Sequence, residues 1–473
     1  MSSHPPKGSL RTKRSPLRVY DFVEGRRPSP KPKGLPCVRP DAAGIDIGSR
    51  EIFVALPPDR EAPTVRSFGS VTDELDALCA WLQEHRVTTV AMESTSVYWI
   101  PLCRILENAG IEVFLVNARA VKHVPGRKSD VQDCQWLQQL HSVGLLRASF
   151  RPAQDIDAIR TLHRHRDGLV KSRMRQIHLM HKVLRVMNVQ DDTAVSDITG
   201  DTGMRILRAI LGGEHDPHRL AALRDNRCKK SEAEIAHALQ GTYTSEHLFA
   251  LKQTMSLFDT YTQHLQACDA ELLTHYEAFA RTHGTASPQA LPPRRPSHKK
   301  ISAHDEQVRT QLFAMSGVDL TQIDGIGITA AQAIIAGIGV DMTPWATTKH
   351  FSAWLGAAPR VDISGGKVLH AAKKKKTTNS VLVTLRICAQ TLERSQSTLG
   401  SWFRRMKAKL GAPCAITAAA HKLARIIYTM LKSKTQFTSL TPQEYEQDRR
   451  QQQLNYVQRI AKRHGYTLQP TTT

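Results

Sequence analysis

Four carboxylates in the first third of the sequence have the types and spacing that metal-dependent phosphodiester chemistry needs. Asp46 lies in Gly44-Ile45-Asp46-Ile47-Gly48, Glu93 in Ala91-Met92-Glu93-Ser94-Thr95, and Asp130 and Asp133 stand three apart behind Ser129. Residues three apart share one face of a helix. Carboxylates gathered in one place repel and raise one another's pKa unless a cation neutralises them. Their hard oxygens suit Mg²⁺ or Mn²⁺, and two such ions can polarise a phosphodiester while stabilising its attacking and leaving oxygens. Singly, each acid has an ordinary use: Asp46 as a turn former, Glu93 as a surface acid, Ser129-Asp130 as a helix cap. The combination points to a site.

A second group lies far downstream. Ala358-Pro359-Arg360 precedes Ser364-Gly365-Gly366-Lys367, and four consecutive lysines follow, Lys373, Lys374, Lys375 and Lys376. A serine between glycines and cations can attack phosphorus, with the cations opposing the developing charge. On chemistry alone, a surface turn beside a solvated lysine run is the simpler account. Upstream, Ile323-Asp324-Gly325-Ile326-Gly327 resembles half of a helix–hairpin–helix element, in which glycines such as Gly325 and Gly327 bring backbone amides to a phosphate. Arg127, Lys128, Arg360, Lys367 and the lysine run are the candidate nucleic-acid contacts among the charged residues.

The acids act together only if the elements that carry them converge. Ala43–Ile47 and Ile52–Leu56 read as β runs joined by the hairpin Gly48-Ser49-Arg50-Glu51, with a third run at Val65–Phe68. Helical spacing follows around Leu75, Leu78 and Leu82, then a β run Val87–Met92, a helix from about Val97 to Asn108, and a strand Ile111–Val116. A further helix opens behind Ser129 as N-cap. Antiparallel strands followed by alternating helices and strands suggest an RNase H-like α/β domain. In such a sheet the first strand lies beside the strand that ends in Glu93, so all four acids can meet.

Beyond this domain the pattern is helical. Val170, Met174, Ile177, His181, Leu184 and Met187 or Asn188 recur at three- and four-residue steps. Leu251, Phe258, Leu265, Leu272 and Phe279 fall seven apart, with Thr262 and Asp269 interrupting the opposing seam. That predicts an antiparallel coiled-coil hairpin or an intermolecular pairing. The expected organisation is a disordered basic arm over 1–41, an RNase H-like (RuvC-like) domain over 42–150, and a coiled-coil domain with an insertion over 151–285. A linker over 286–318, a mainly α C-terminal domain over 319–437 and a tail over 438–473 complete it. Residues 190–245 are mixed and polar, and carry no readable role.

Composition narrows the partners. Lys plus Arg number 65 against 43 Asp plus Glu, a formal net charge of +22. Such an excess favours a polyanion, because each phosphate neutralised releases condensed counterions. No stretch reaches the roughly 18 apolar residues of a membrane span. The first forty residues hold ten Lys or Arg and eight prolines but no apolar signal segment. The eight cysteines are scattered with no C-x-x-C pair, so a reducing cytoplasm is the expected compartment. His163, His165, His178 and His181 lie among seven Arg or Lys within Arg160–Lys182, cationic surroundings that disfavour zinc.

On these residues the chain resembles the insertion-sequence transposases that combine a DEDD-type, RuvC-like N-terminal domain with a serine-bearing C-terminal domain and use a bridge RNA. Gly44-Ile45-Asp46, Met92-Glu93-Ser94-Thr95 and Lys128-Ser129-Asp130-Val131-Gln132-Asp133 match the acidic motifs. Ile323-Asp324-Gly325-Ile326-Gly327, Ala358-Pro359-Arg360, Ser364-Gly365 and the helix His421-Lys422-Leu423-Ala424-Arg425 match the C-terminal domain. The resemblance implies that Asp46, Glu93, Asp130 and Asp133 bind Mg²⁺ and act at the DNA backbone. It implies that Ser364 attacks the phosphodiester to form a transient phosphoserine link. It further implies a homodimer or tetramer assembled through the coiled coil, and a structured noncoding RNA that pairs with donor and target DNA. Two other functions fit parts of the sequence: a RuvC-like junction nuclease using metal and water alone, and a non-enzymatic nucleic-acid-binding scaffold. An actin-like phosphate loop at Asp46-Ile47-Gly48-Ser49 is opposed by the basic balance and the coiled coil.

Overall fold

The computed structural model describes residues 36–94, 96–117, 129–284, 290–295, 301–358, 362–365, 367–370, 379–439 and 442–467. The chain divides into two compact units, Met1–Arg151 and Pro152–Thr473.

The first unit is built on a five-stranded sheet: β1 Ala42–Ile47, β2 Glu51–Ala55, β3 Val65–Gly69, β4 Thr89–Glu93 and β5 Glu112–Val116, in the order β3-β2-β1-β4-β5. β1, β2 and β3 pair antiparallel, whereas β1, β4 and β5 run parallel. The connections to and between the parallel strands carry helices α1 Thr72–Glu84 and α2 Trp99–Asn108, and α3 Asp130–Ser142 follows β5. This is the RNase H-like α/β arrangement that the strand pattern predicts.

The period-2 alternation of the strands separates two faces with different residue sizes. Ile45 and Ile47 of β1, Ile52 and Val54 of β2, and Val90 and Met92 of β4 point into a core closed by Leu75, Leu78 and Leu82 of α1 and Leu102 and Leu106 of α2. The alternate positions are smaller: Ala42 and Gly44 on β1, Ala55 on β2, and Thr89 and Ala91 on β4. Against that shallower face lies α3, through Leu137 beside Ala91 and Val116, and Cys134 beside Phe53 and Ala55.

The second unit opens with α4 Gln154–Val186, which packs along the longer helix α9 Ser245–His283. The pair runs antiparallel within one chain. His283 meets Asp155, Arg166 meets Asp269, and the Arg173 guanidinium lies 5.9 Å from the Phe258 ring. Leu251, Phe258, Leu265, Leu272 and Phe279 are all buried along the seam, each contributing about 1.5–3 kcal/mol by leaving water. Asp269, which breaks the apolar pattern, takes the Arg166 guanidinium with a second bond of 3.2 Å. On α4 the stripe read in the sequence holds at its C-terminal end, where Leu184 and Met187 are buried, but Met174 is exposed, and Ile159, His163 and Met180 are buried as well. The partner helix selects the face, because apolar residues on neighbouring faces are nearly equivalent by periodicity.

Residues 190–245 form four short helices, α5 Asp191–Ala194, α6 Asp201–Leu211, α7 Pro217–Ala221 and α8 Glu232–Ala238. Their apolar sides close a core with Met180, Leu184, Leu251 and Phe258. The segment expected to be a linker, 286–318, contains a packed helix, α10 Ala303–Ser316. Its prolines stop at Pro296, Ser302 caps the helix, and Val308, Leu312 and Met315 supply a buried face at helical spacing. Inside it, buried Arg309 bonds Asp319 at 2.7 Å and the Pro292 carbonyl at 2.6 Å, tying the proline segment down.

The remainder comprises α11 Ile328–Ile338, α12 Thr348–Leu355, the hairpin strands β6 Asp362–Ser364 and β7 Lys367–His370, α13 Ser380–Thr391, α14 Thr398–Leu410, α15 Ala412–Ser433 and α16 Pro442–Arg463. Phe351, Trp345 and Tyr428 form its aromatic centre, with the Tyr428 hydroxyl donating to the Trp345 carbonyl at 2.7 Å. Among the described residues no helix is long and apolar enough to cross a membrane.

Candidate active site

β1 and β4 are in parallel register, with Ile45 opposite Met92. Asp46 and Glu93 each come one residue later, so they leave neighbouring strands on the same face. It is the face of small residues, the one that α3 covers. The start of α3 therefore decides whether the other two acids join them.

Ser129 caps that helix, its hydroxyl accepting from the Gln132 amide at 3.4 Å. Asp130 and Asp133 occupy the first turn, where the helix dipole favours negative charge. Gly44 sets the depth at which α3 seats: a β-carbon there would overlap the Cys134 carbonyl oxygen and the Gln138 amide, and lie 2.9 Å from the Gln138 Cα. Any larger residue forces the helix off the sheet. Farther along α3, buried Gln138 donates to the Ala42 carbonyl at 3.1 Å, and buried His141 bonds the Thr89 hydroxyl at 2.9 Å. One bond reaches β1 and the other β4, the two strands that carry Asp46 and Glu93. Burial, with the Arg39 charge adding to it, pushes His141 down to about 4, so the ring is neutral at ordinary pH.

The electrostatics report the convergence. The Asp46 carboxyl is pushed up to about 6, first by burial and then by the charges of Asp130, Asp133 and Glu93, with the Ile47 backbone N–H opposing the shift. The four acids thus share one electrostatic neighbourhood. Among the described residues, however, no three His, Cys, Asp or Glu side chains form a ready-made metal cage.

The second candidate group is placed differently. Ser364 ends β6 and stands opposite Lys367 of β7, at the mouth of a two-residue turn. Gly365 in that turn has φ +55° and open space around the position of a β-carbon. Arg360 and Lys373, Lys374, Lys375 and Lys376 lie outside the described residues, as do Arg127 and Lys128. Gly325 and Gly327 precede α11. Gly325 has φ +83°, and a β-carbon on it would come within 2.7 Å of the Cys388 carbonyl, whereas Gly327 opens onto free space at the helix start. Between α10 and α11 the chain makes a single 3₁₀ turn, Leu320–Gln322, before these glycines.

Sequence reasoning missed Gln138 and His141. A signal for them existed: from Asp130 through Cys134 to Gln138 and His141 the steps are four, four and three, which puts polar residues on the apolar stripe of α3. The histidines at 163, 165, 178 and 181 take unrelated positions. His163 is buried in the helix seam and shifted down by that burial, His165 and His178 are exposed, and His181 pairs with Asp191.

An α/β sheet of this order with acids at adjacent strand ends defines an RNase H-like unit. Residues 43–189 match a family of transposases, the DEDD type of IS110, and residues 319–401 match the family described as Transposase IS116/IS110/IS902. The chain carries both of these transposase domains and is a DNA transposase, an enzyme acting on DNA. No curated protein matches the sequence.

Proposed function

We propose that the chain cleaves and exchanges DNA strands with two sets of groups, the four carboxylates of the first unit and Ser364 of the second. The observation that carries the acidic half is the strand register that sets Asp46 beside Glu93 on the face covered by α3, whose first turn holds Asp130 and Asp133; Asp46 is pushed up first by burial and then by these three charges. A fold that merely needed surface acids would not set four of them against one another, with one of them half-buried. The donor set, all hard carboxylate oxygens, fits Mg²⁺ or Mn²⁺ and no softer ion. Bound there, such ions supply charge stabilisation for the attacking and leaving oxygens of a phosphodiester.

The residues of the chain do the rest. Asp46 and Glu93 are held by strand register, and Asp130 and Asp133 by the seat of α3 on Gly44. Ser364 attacks phosphorus through its hydroxyl oxygen, forming a serine–phosphate ester as the DNA 3′ or 5′ oxygen departs with a proton. Reversal of that step with a different strand's hydroxyl completes exchange. The hairpin position of Ser364 and the basic residues around it in sequence support this role. A homodimer or tetramer and a structured guide RNA belong to the same reading, and rest on the motif match.

A strand-exchange assay on Ser364→Ala and Asp46→Ala tests the proposal. Both variants are expected to lose exchange, and a covalent protein–DNA adduct trapped by denaturation should form in the native enzyme but not in Ser364→Ala. Full exchange by Ser364→Ala with loss in Asp46→Ala would instead establish a nuclease that uses metal and water alone. Activity in both would remove both assignments.

A further inference from the structure

Two adjoining cavities open in the second unit between α14 and α15 and the chain that follows them. One, of about 410 Å³, is lined by Thr348, Lys422, Arg425, Gln436 and Phe437, among others. The second, of about 340 Å³, is lined by Trp402, Arg405, Lys422, Phe437, Tyr445 and Gln452, among others. Lys422, Ile426, Phe437 and Thr438 belong to both, so they form a common wall. Each is of the size that holds a small ligand, about 300–1,000 Å³.

Helical spacing builds this wall. Lys422, Arg425, Ile426 and Thr429 recur at three- and four-residue steps on α15, and Thr398, Trp402 and Arg405 do so on α14. The lining residues include no carboxylate. The Lys422 ammonium lies 4.5 Å from the Trp402 ring, and Arg405 donates to the Tyr445 hydroxyl at 2.6 Å with its guanidinium 5.6 Å from that ring. Burial, then Arg405 and Arg425, hold Lys422 below the usual lysine range. Partly buried cations that repel one another cost stability unless an anion joins them. Two other packed arginines of this unit are matched with acids, Arg309 with Asp319 and Arg166 with Asp269.

We infer that this cleft binds one nucleotide of a single-stranded nucleic acid, its phosphate on Lys422, Arg405 and Arg425 and its base against Trp402, Phe437 and Tyr445. Cations beside aromatic faces suit a phosphate joined to a base, and stacking of a base on such a face is worth about 1–3 kcal/mol. Duplex DNA keeps its bases stacked inside, so the aromatic wall selects an unpaired residue. The inference rests on the reading of the chain as a nucleic-acid enzyme but needs neither the acidic site nor Ser364.

The test uses the full chain with a fluorescent dT12 strand, a fluorescent rU12 strand and a blunt DNA duplex. Lys422→Gln combined with Arg425→Gln should weaken single-strand binding at least tenfold and leave duplex binding within about twofold. Bromouracil- and 4-thiouracil-substituted strands should cross-link to the native protein at Trp402, Phe437 or Tyr445. The stronger of the two strand types identifies the source as DNA or RNA. Equal loss of duplex binding would reduce the cleft to a general basic surface, and cross-links confined to other residues would overturn the inference. If the double variant does not fold, the cross-link map on the native chain decides. Loss of strand exchange in native protein that still cross-links at the cleft would count against the proposed function and not against this site.

Discussion

The two candidate catalytic groups are held by opposite means. The four acids are fixed by long-range structure: strands 47 residues apart in register bring Asp46 beside Glu93, and a helix pressed onto Gly44 brings Asp130 and Asp133. Ser364 sits on a hairpin of two short strands, next to a glycine with open space about it. A metal site needs several ligands within fractions of an ångström, which a sheet and a packed helix provide. A nucleophile that must reach a phosphodiester, become esterified and be released again is served by a small element. Position rests on the core at one group and on a short local pairing at the other.

The largest effects should come from removing the groups themselves. Asp46→Ala, Glu93→Ala and Ser364→Ala are each expected to lower strand exchange by on the order of 10³-fold. The comparison is sharpened by stability rather than rate: chemical denaturation should show Ser364→Ala unchanged. Asp46→Asn should be more stable than the native chain at neutral pH without metal, because it removes a repelled charge.

The glycines break the comparison apart more directly. Gly44→Ala drives a methyl into the backbone of α3, and overpacking of this kind costs roughly 1–3 kcal/mol, occasionally more. It should also displace Asp130 and Asp133 and so depress exchange although no carboxylate is touched. Gly365→Ala meets no neighbour, so only its left-handed backbone is penalised, by roughly 1–2 kcal/mol. Urea unfolding followed by circular dichroism, alongside the exchange assay, measures both. Equal destabilisation by the two substitutions would mean that α3 is not seated on Gly44 as described.

A milder loss is expected at the bonds that hold α3 in line. Gln138→Leu removes the donor to the Ala42 carbonyl and should cost about 1 kcal/mol. Because the helix remains seated on Gly44, exchange should fall less than in Gly44→Ala, and raised Mg²⁺ should recover part of it. Activity titrated against Mg²⁺ distinguishes this from loss of a ligand, which added ion does not repair.

These positions also explain how much of the molecule was legible in the sequence. The strands were, because alternation in segments such as Ala42–Ile47 declares itself over five or six residues, and their order follows once the fold class is recognised. The four acids were legible because each ends or begins an element. Gly44 appeared only as part of a motif: nothing local says that its missing β-carbon makes room for a helix about ninety residues later. Gln138 and His141 were hidden for the same reason, since their partners, Ala42 and Thr89, belong to strands far upstream. On α4 Leu184 was read correctly but Met174 was not, because Met174 and Met180 are equally apolar and only the partner helix distinguishes them. The packed helix at Ala303–Ser316 was obscured by the prolines and lysines just before it.

The finest test concerns charge alone. Asp46 has its ordinary carboxyl range near 3.8 when the chain is unfolded and about 6 in the folded unit. A folded-state pKa above the unfolded one means that the folded form binds the proton more tightly. Its contribution to stability is therefore complete below about pH 3.8 and is lost as the pH rises through about 6. Asn in place of Asp46 imitates the protonated state at every pH. In EDTA the difference in melting temperature between Asp46→Asn and the native chain should be small near pH 4, grow in favour of the variant between pH 4 and 6, and level off above pH 7. Mg²⁺ added at pH 7.5 should shrink that difference by neutralising the native cluster, while leaving the Ser364→Ala chain indistinguishable from native throughout. A difference that does not change with pH would show that the four carboxylates do not crowd one another, and the contrast between a charged, core-bound site and a neutral hairpin would fail at its first member.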